Sequence, residues 1–93
     1  MLVSILLTNY NYGDYLEDAI KSLTKQNYPD MEVIIVDDGS HDNSKQVIRE
    51  LNYLYKDYFL RFESIFIKEN QGKLHALNVA IPYLKGEVTI ILD

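Results

Sequence analysis

Apolar and polar positions along the chain alternate between two rhythms, one with the period of a strand and one with the period of a helix. Leu2 to Leu7 is an apolar, partly β-branched run closed by Thr8-Asn9-Tyr10-Asn11-Tyr12-Gly13, the pattern of a buried strand that ends near Thr8 and enters a loop. Leu16, Ala19, Ile20 and Leu23 then recur at helical spacing, and Asp14 and Glu17 stand where an N-cap and its reciprocal partner would. Asn27-Tyr28-Pro29-Asp30 ends this first helix, because proline disfavours helical backbone in the residue before it. Glu32 to Val36 reads as a second buried strand running into the turn Asp37-Asp38-Gly39-Ser40. Val47, Ile48, Leu51, Leu54 and Tyr55 mark a second amphipathic helix, opened by Ser40, Asp42 or Ser44 as cap. Phe59 to Ile67 reads as a third strand, its alternation imperfect around Phe62, Ser64 and Phe66. After Asn70-Gln71-Gly72, Leu74, Leu77, Ile81 and Leu84 line up as a third helix whose last turn Pro82 should kink or shorten. Gly86 punctuates, and Glu87 to Leu92 supplies a fourth strand followed by Asp93.

Strands and helices in strict alternation predict an α/β fold: a three-layer sandwich in which a four-stranded, mainly parallel sheet carries helices on both faces. Residues 1–93 form a single unit without repeat, linker or low-complexity stretch. In such sheets ligands bind beyond the carboxyl ends of the strands, near the point where strand order reverses. Three polar clusters fall there: Thr8 to Asn11, Asp37 to Ser40, and Asp93.

Composition narrows the chemistry. A content of 47% hydrophobic and 25% charged residues suits one small globular domain. The formal charge of −5, with Lys and Arg scattered, argues against a nucleic-acid partner. The same charge would repel a nucleotide diphosphate unless a cation or a set of amide donors offsets it, so a metal ion is expected. No cysteine is present, which fits a reducing compartment and makes a cytoplasmic location the expectation. The apolar runs Val33 to Val36 and Val88 to Leu92 are far shorter than the roughly 20 residues that span a bilayer. The start of the chain carries neither a basic lead nor a small-residue cleavage site, so a signal peptide is not expected.

Gly13, Gly39, Gly72 and Gly86 never form the G-x-G of a dinucleotide fingerprint, and Gly72-Lys73 lacks the rest of a P-loop. His41 and His75 lie too far apart in sequence to open a zinc site. Asp38, at a strand end, could accept hydrogen bonds from a nucleobase edge or cap the following helix, a task Asp37 could take instead. Tyr10 could stack on a base or serve as an ordinary loop or core aromatic. Thr8 and Asn9 could bond a nucleoside or satisfy their own turn. Lys73, at a helix start, could face a diphosphate together with free helix amides, or remain a solvated surface lysine.

The run Val3-Ser4-Ile5-Leu6-Leu7-Thr8-Asn9-Tyr10-Asn11, then Val36-Asp37-Asp38-Gly39-Ser40 with Asp42, resembles the opening of the family 2 glycosyltransferases of GT-A fold. Asn70-Gln71-Gly72-Lys73 with Ala76-Leu77-Asn78, Gly86-Glu87 and Ile90-Ile91-Leu92-Asp93 resemble the later blocks of that family, so the likeness runs along the whole chain. It implies a Rossmann-like nucleotide-binding portion and transfer of a sugar from a nucleotide diphosphate sugar, a UDP-sugar above all, with inversion at the anomeric carbon. Asp38 then corresponds to the position that reads uracil, and Tyr10 to one commonly placed against that base. Asp93 matches the first acid of the Asp-x-Asp motif, which holds Mg²⁺ or Mn²⁺ and the ribose; one carboxylate and two phosphate oxygens suit such a hard cation.

The resemblance also implies that the catalytic base and the acceptor site lie beyond Asp93, so this chain alone should bind a donor without transferring its sugar. The edge of the fourth strand should then be bare and favour self-association. The alternative from another class is a non-catalytic nucleotide-binding or receiver-like signalling domain, which is also doubly wound with acids at strand ends. A receiver places its acidic pair after the first strand, whereas here that strand ends in Thr8-Asn9 and the pair follows the second.

Overall fold

A computed structural model describes residues 1–26, 28 and 30–92. The chain runs β1 (Leu2–Asn9), α1 (Gly13–Leu23), β2 (Asp30–Asp38), α2 (Ser44–Tyr55), β3 (Arg61–Ile67), α3 (Lys73–Ala80), a 3₁₀ turn (Ile81–Tyr83) and β4 (Val88–Leu92). Every pairing is parallel and the sheet order is β3-β2-β1-β4. Because side chains alternate across a strand, Val3, Ile5, Leu7, Val33 and Ile35 pack with Leu16, Ile20, Ile48 and Leu51 of α1 and α2. Leu6, Ile34 and Val36 pack on the other face with Ala76 and Ala80 of α3. Helices cover both faces, giving the three expected layers.

This order fixes where a ligand can sit. From β1 the chain steps outward to β2 and β3 by way of α1 and α2, and α3 then carries it back across the opposite face to β4, beside β1. Strand order therefore reverses between β1 and β4, which points to the carboxyl end of the sheet as the place for a ligand. A receiver-like sheet instead sets its first strand between the second and third.

Several local expectations are corrected. Leu74 and Ile81 are 73% and 58% exposed, and α3 faces the sheet through Ala76 and Ala80, four residues apart. Small side chains let the helix backbone lie close to Leu6, Ile34 and Val36, leaving Leu74 and Ile81 outside, while Leu77 and Leu84 pack half-buried against the same cluster as expected. Pro82 does shorten the helix, which tightens into the 3₁₀ turn after Ala80. Leu54 is exposed on α2, and Phe59 precedes β3, its buried ring packed with Tyr55, Tyr58 and Phe62. Asn27 and Pro29 of the expected turn lie outside the described residues.

Asp14 does not cap α1, and Glu17 pairs with Lys21 instead. The Gly13 N–H, first in α1, donates to Asp42 Oδ2 at 3.0 Å, while Asp42 Oδ1 accepts the Ser44 N–H, first in α2, at 2.9 Å. One carboxylate thus serves two helix starts, placed so close that a Cβ on Gly13 would lie 3.1 Å from the Ser44 nitrogen. Burial pushes the Asp42 carboxyl up, but hydrogen bonds from Ser44 and Gly13 outweigh it and hold the group below its ordinary value.

Glu32 is the least expected residue of the sheet, a carboxylate 2% exposed in the middle of a strand. Its Oε2 accepts from Ser4 Oγ at 2.6 Å and from the Lys85 N–H at 2.7 Å; its Oε1 accepts from Arg61 Nε at 3.1 Å. Ser4 Oγ also accepts the Gly86 N–H at 2.8 Å, and Arg61 donates to the Tyr83 carbonyl. The network ties β1, β2 and β3 to the turn that launches β4. Burial raises the Glu32 pKa, yet the hydrogen bonds from Ser4 and Lys85 and the Arg61 charge together bring it below the ordinary value. A depressed folded-state pKa stabilises above the unfolded value, so this contribution is present at neutral pH and lost as pH falls below about 4. Glu32→Gln should cost about 2–3 kcal/mol in urea unfolding near neutral pH, because an amide donor would face donors only. The gap to wild type should narrow near pH ~3, and an unchanged gap would contradict this account.

Candidate functional site

The carboxyl ends of β1 and β2 are joined by a buried polar lattice. Asn9 lies opposite Asp37 in the sheet, and both point toward the α1 and α2 face. Asn9 Nδ2 donates to Asp37 Oδ1 at 2.9 Å and to Ser40 Oγ at 3.3 Å. Asp37 also accepts the Ser40 hydroxyl at 2.6 Å and the Ser40 N–H at 3.1 Å, closing the turn that follows β2. Ser40 Oγ accepts the Asn11 N–H at 2.9 Å, and Asn11 Oδ1 accepts the His41 and Asp42 amides at 2.8 and 3.3 Å. Asn11 has a φ of 57°, a left-handed conformation that asparagine tolerates better than most residues. The loop carrying Tyr10 and Tyr12 is thereby held from both sides, with both rings turned outward.

Asp38 is organised from a different direction. Its side chain falls on the α3 side with Thr8, and three donors converge on it from the loop between β3 and α3. Oδ2 accepts from Asn70 Nδ2 and from the Gly72 N–H, both at 2.9 Å, and Oδ1 accepts the Gln71 N–H at 3.0 Å. Asn70 Nδ2 also reaches the Asp38 carbonyl at 3.2 Å. Asp38 therefore caps neither α2 nor its own turn, and Asp37 binds Asn9 and closes the Ser40 corner; the carboxylate that meets the first amide of α2 is Asp42. A φ of 73° at Gly39 brings the two loops together, and a Cβ there would lie 2.5 Å from the Asn70 nitrogen.

Between these loops lies a pocket of about 410 Å³ lined by Thr8, Asn9, Tyr10, Tyr12, Asp38, Asn70, Gly72, Lys73 and Ala76. Thr8, Asn9, Tyr10, Asp38 and Lys73, singled out from the sequence, are thus gathered in one place. Asn9 contributes from the wall, its amide nitrogen already engaged with Asp37 and Ser40. Asp93 lies outside the described residues, and β4 pairs alongside β1 as far as Leu92 opposite Leu7, one position before Thr8. Tyr12, Asn70, Gly72 and Ala76 line the pocket as well, beyond the residues singled out from the sequence. Asn70 had a visible signal, a polar side chain in the loop that leaves β3 at the same end of the sheet.

Chemically, the pocket offers a nearly buried carboxylate at one end, exposed aromatic rings beside it, and the first amides of α3 with Lys73. That set suits a ligand with a planar N–H-bearing ring and an anionic group. Among the described residues, no three or more His, Cys, Asp or Glu gather to hold a metal ion, and no helix is long and apolar enough to cross a membrane.

Comparison with known proteins gives concordant matches. The family model described as glycosyl transferase family 2 matches residues 4–93. An uncharacterized glycosyltransferase of Nostoc sp. (strain PCC 7120) is 42% identical over 93 residues, 100% of this chain and 28% of the relative. A putative teichuronic acid biosynthesis glycosyltransferase of Bacillus subtilis (strain 168) is 34% identical over 92 residues, 99% of this chain and 35% of the relative. Among solved structures, a mannosyltransferase from Pyrobaculum calidifontis in complex with GDP-Man and Mn²⁺ superposes with a TM-score of 0.85 at 29% identity, over 94% of this chain and 25% of that one. S. aureus TarS 1-349 in complex with UDP gives 0.84 at 28% identity, over 100% of this chain and 27% of that one. The chain thus spans between a quarter and about a third of each of these four proteins.

Proposed function

Because the chain belongs to glycosyl transferase family 2, we propose that the pocket at the ends of β1 and β2 binds the nucleotide of a UDP-sugar, the donor in an inverting sugar transfer. The observation that carries this reading is the state of Asp38. A carboxylate has about four acceptor sites. Asn70 and Gly72 fill both on Oδ2 and Gln71 fills one on Oδ1, so a single acceptor site remains at the pocket wall. Uracil offers one ring N–H, flanked by two carbonyls, and fits that vacancy. Tyr10 supplies a face for the ring to stack on, Thr8 and the Asn9 backbone meet the nucleoside, and Lys73 with the first amides of α3 faces the diphosphate.

The residues suit a divalent cation only in part, since the described pocket offers no acid cluster and Asp93 would be the protein ligand, with phosphate oxygens completing the shell. When bound, Mg²⁺ or Mn²⁺ offsets charge on the departing diphosphate. In the transfer itself the acceptor hydroxyl loses its proton to a carboxylate base, its oxygen bonds to the anomeric carbon from the far face, and the diphosphate oxygen leaves. We place that base and the acceptor site outside residues 1–93, which then act as the nucleotide-binding portion of a cytoplasmic enzyme.

Calorimetric titration of the chain with UDP tests the reading: binding with a Kd between about 10 μM and 1 mM is expected, strengthened by Mn²⁺. Absence of binding at several-millimolar UDP would overturn it. On the same reading the β4 edge, where Val88 and Ile91 are 43% and 52% exposed, drives self-association. Sedimentation at millimolar concentration should show dimers or larger species, and a monomer alone would count against this.

A further inference from the structure

Asn70 reaches Asp38 twice, through its carboxylate at 2.9 Å and its carbonyl at 3.2 Å. Such a double contact fixes the rotation of the carboxylate as well as its position. With the Gly72 amide on the same oxygen, Oδ2 has no acceptor site left, and only Oδ1 can take another donor. The two solved relatives carry different bases, one as GDP-Man and the other as UDP. Guanine presents two adjacent donors, the ring N1–H and the exocyclic amine, which a carboxylate ordinarily receives one on each oxygen; uracil presents one.

We propose that Asn70 is a positioning residue that sets base specificity, occupying the second oxygen of Asp38 so that the pocket takes uracil and rejects guanine. The proposal rests on the nucleotide-binding reading given above. Rejection arises because a guanine amine brought to this wall loses its water and meets an oxygen already saturated by protein donors, the condition under which sites discriminate most strongly. Removing the Asn70 amide reopens one acceptor site on Oδ2, and the carboxylate, still held by the Gln71 and Gly72 amides, can then receive both guanine donors. The two amides come from the backbone and survive any side-chain change at position 70.

The test is competition between UDP and GDP for the chain, measured by titration for wild type, Asn70→Ala and Asn70→Leu, with amide NMR spectra to establish that each variant is folded. Asn70→Leu keeps the size and branching of the side chain, removes its donors and adds no charge beside Asp38, so it covers the case in which the alanine variant does not fold. Wild type should prefer UDP over GDP by about thirtyfold or more, and the preference should drop below about fivefold in the variants. Gln71→Ala, which changes a side chain but keeps the amide that meets Asp38, should leave the ratio unaltered. A parallel loss of both nucleotides would show Asn70 to be a structural support only and overturn the proposal. So would a wild type that binds GDP as well as UDP, although the pocket would still be a nucleotide site. A wild type that binds neither nucleotide would remove the underlying reading as well.

Discussion

Asp38→Ala should weaken UDP binding about a hundredfold, the sum of one hydrogen bond between a charged acceptor and the base and the loss of the anchor for a whole loop. Asn70, Gln71 and Gly72 all donate to this carboxylate, and Lys73 and α3 follow directly. Without it, two backbone amides and one side-chain amide lose their partner, and the phosphate end of the pocket moves with the base end. The variant should also unfold more easily, by about 2 kcal/mol in urea. Titration with UDP measures the first effect, and a change smaller than about threefold would remove Asp38 from the nucleotide site.

Gly39→Ala should cost about 3–4 kcal/mol in urea unfolding, more than any other single methyl added to a turn of this protein. Two causes add. The φ of 73° is strained for any L side chain, and the new Cβ would fall 2.5 Å from the Asn70 nitrogen and 2.7 Å from the Glu69 carbonyl carbon, backbone atoms that cannot swing aside. Gly72 provides the comparison: its φ is 96°, but nothing lies within 4 Å of its Cβ position, so Gly72→Ala should cost only about 1 kcal/mol. Equal losses for the two variants would show that close contact between the loops contributes nothing.

The layout of the fold is legible because β1, β2 and β4 each carry a mostly apolar run closed by a polar turn, and burial on both faces of a parallel sheet imposes that pattern. The corrections occur where burial depends on something other than a large apolar side chain. Hydrophobic spacing assigns the buried face of α3 to Leu74, Leu77, Ile81 and Leu84, of which only Leu77 and Leu84 pack half-buried, because close approach to the sheet selects the small Ala76 and Ala80 that such spacing underweights. Local sequence points to caps next to the helices they serve, whereas Asp42 caps α1 from the loop after β2, a contact only the tertiary fold brings about. Glu32 looked like a strand boundary because a lone carboxylate is costly to bury; Arg61, Ser4 and the Lys85 amide, distant in sequence, make its burial tolerable.

For the site, the residues that end strands were readable and those that hold them were not. Thr8, Tyr10, Asp38 and Lys73 each follow from position at the carboxyl end of a strand or the start of a helix, and they do line one pocket. Asn9 carries the same positional signal, yet its amide is turned inward to Asp37 and Ser40 because the pleat sends neighbouring residues to opposite faces. The orientation of Asp38 by Asn70 depends on hydrogen bonds between loops 32 residues apart, which no local pattern encodes.

A crystal structure of this chain with UDP tests the central claim most directly. The account predicts the uracil ring between Tyr10 and the Asp38 wall, its ring N–H within hydrogen-bond distance of Asp38 Oδ1, and the Asn70 and Gly72 contacts on Oδ2 undisturbed. A uracil bound away from Asp38, or a base that displaces Asn70 from that oxygen, would contradict it.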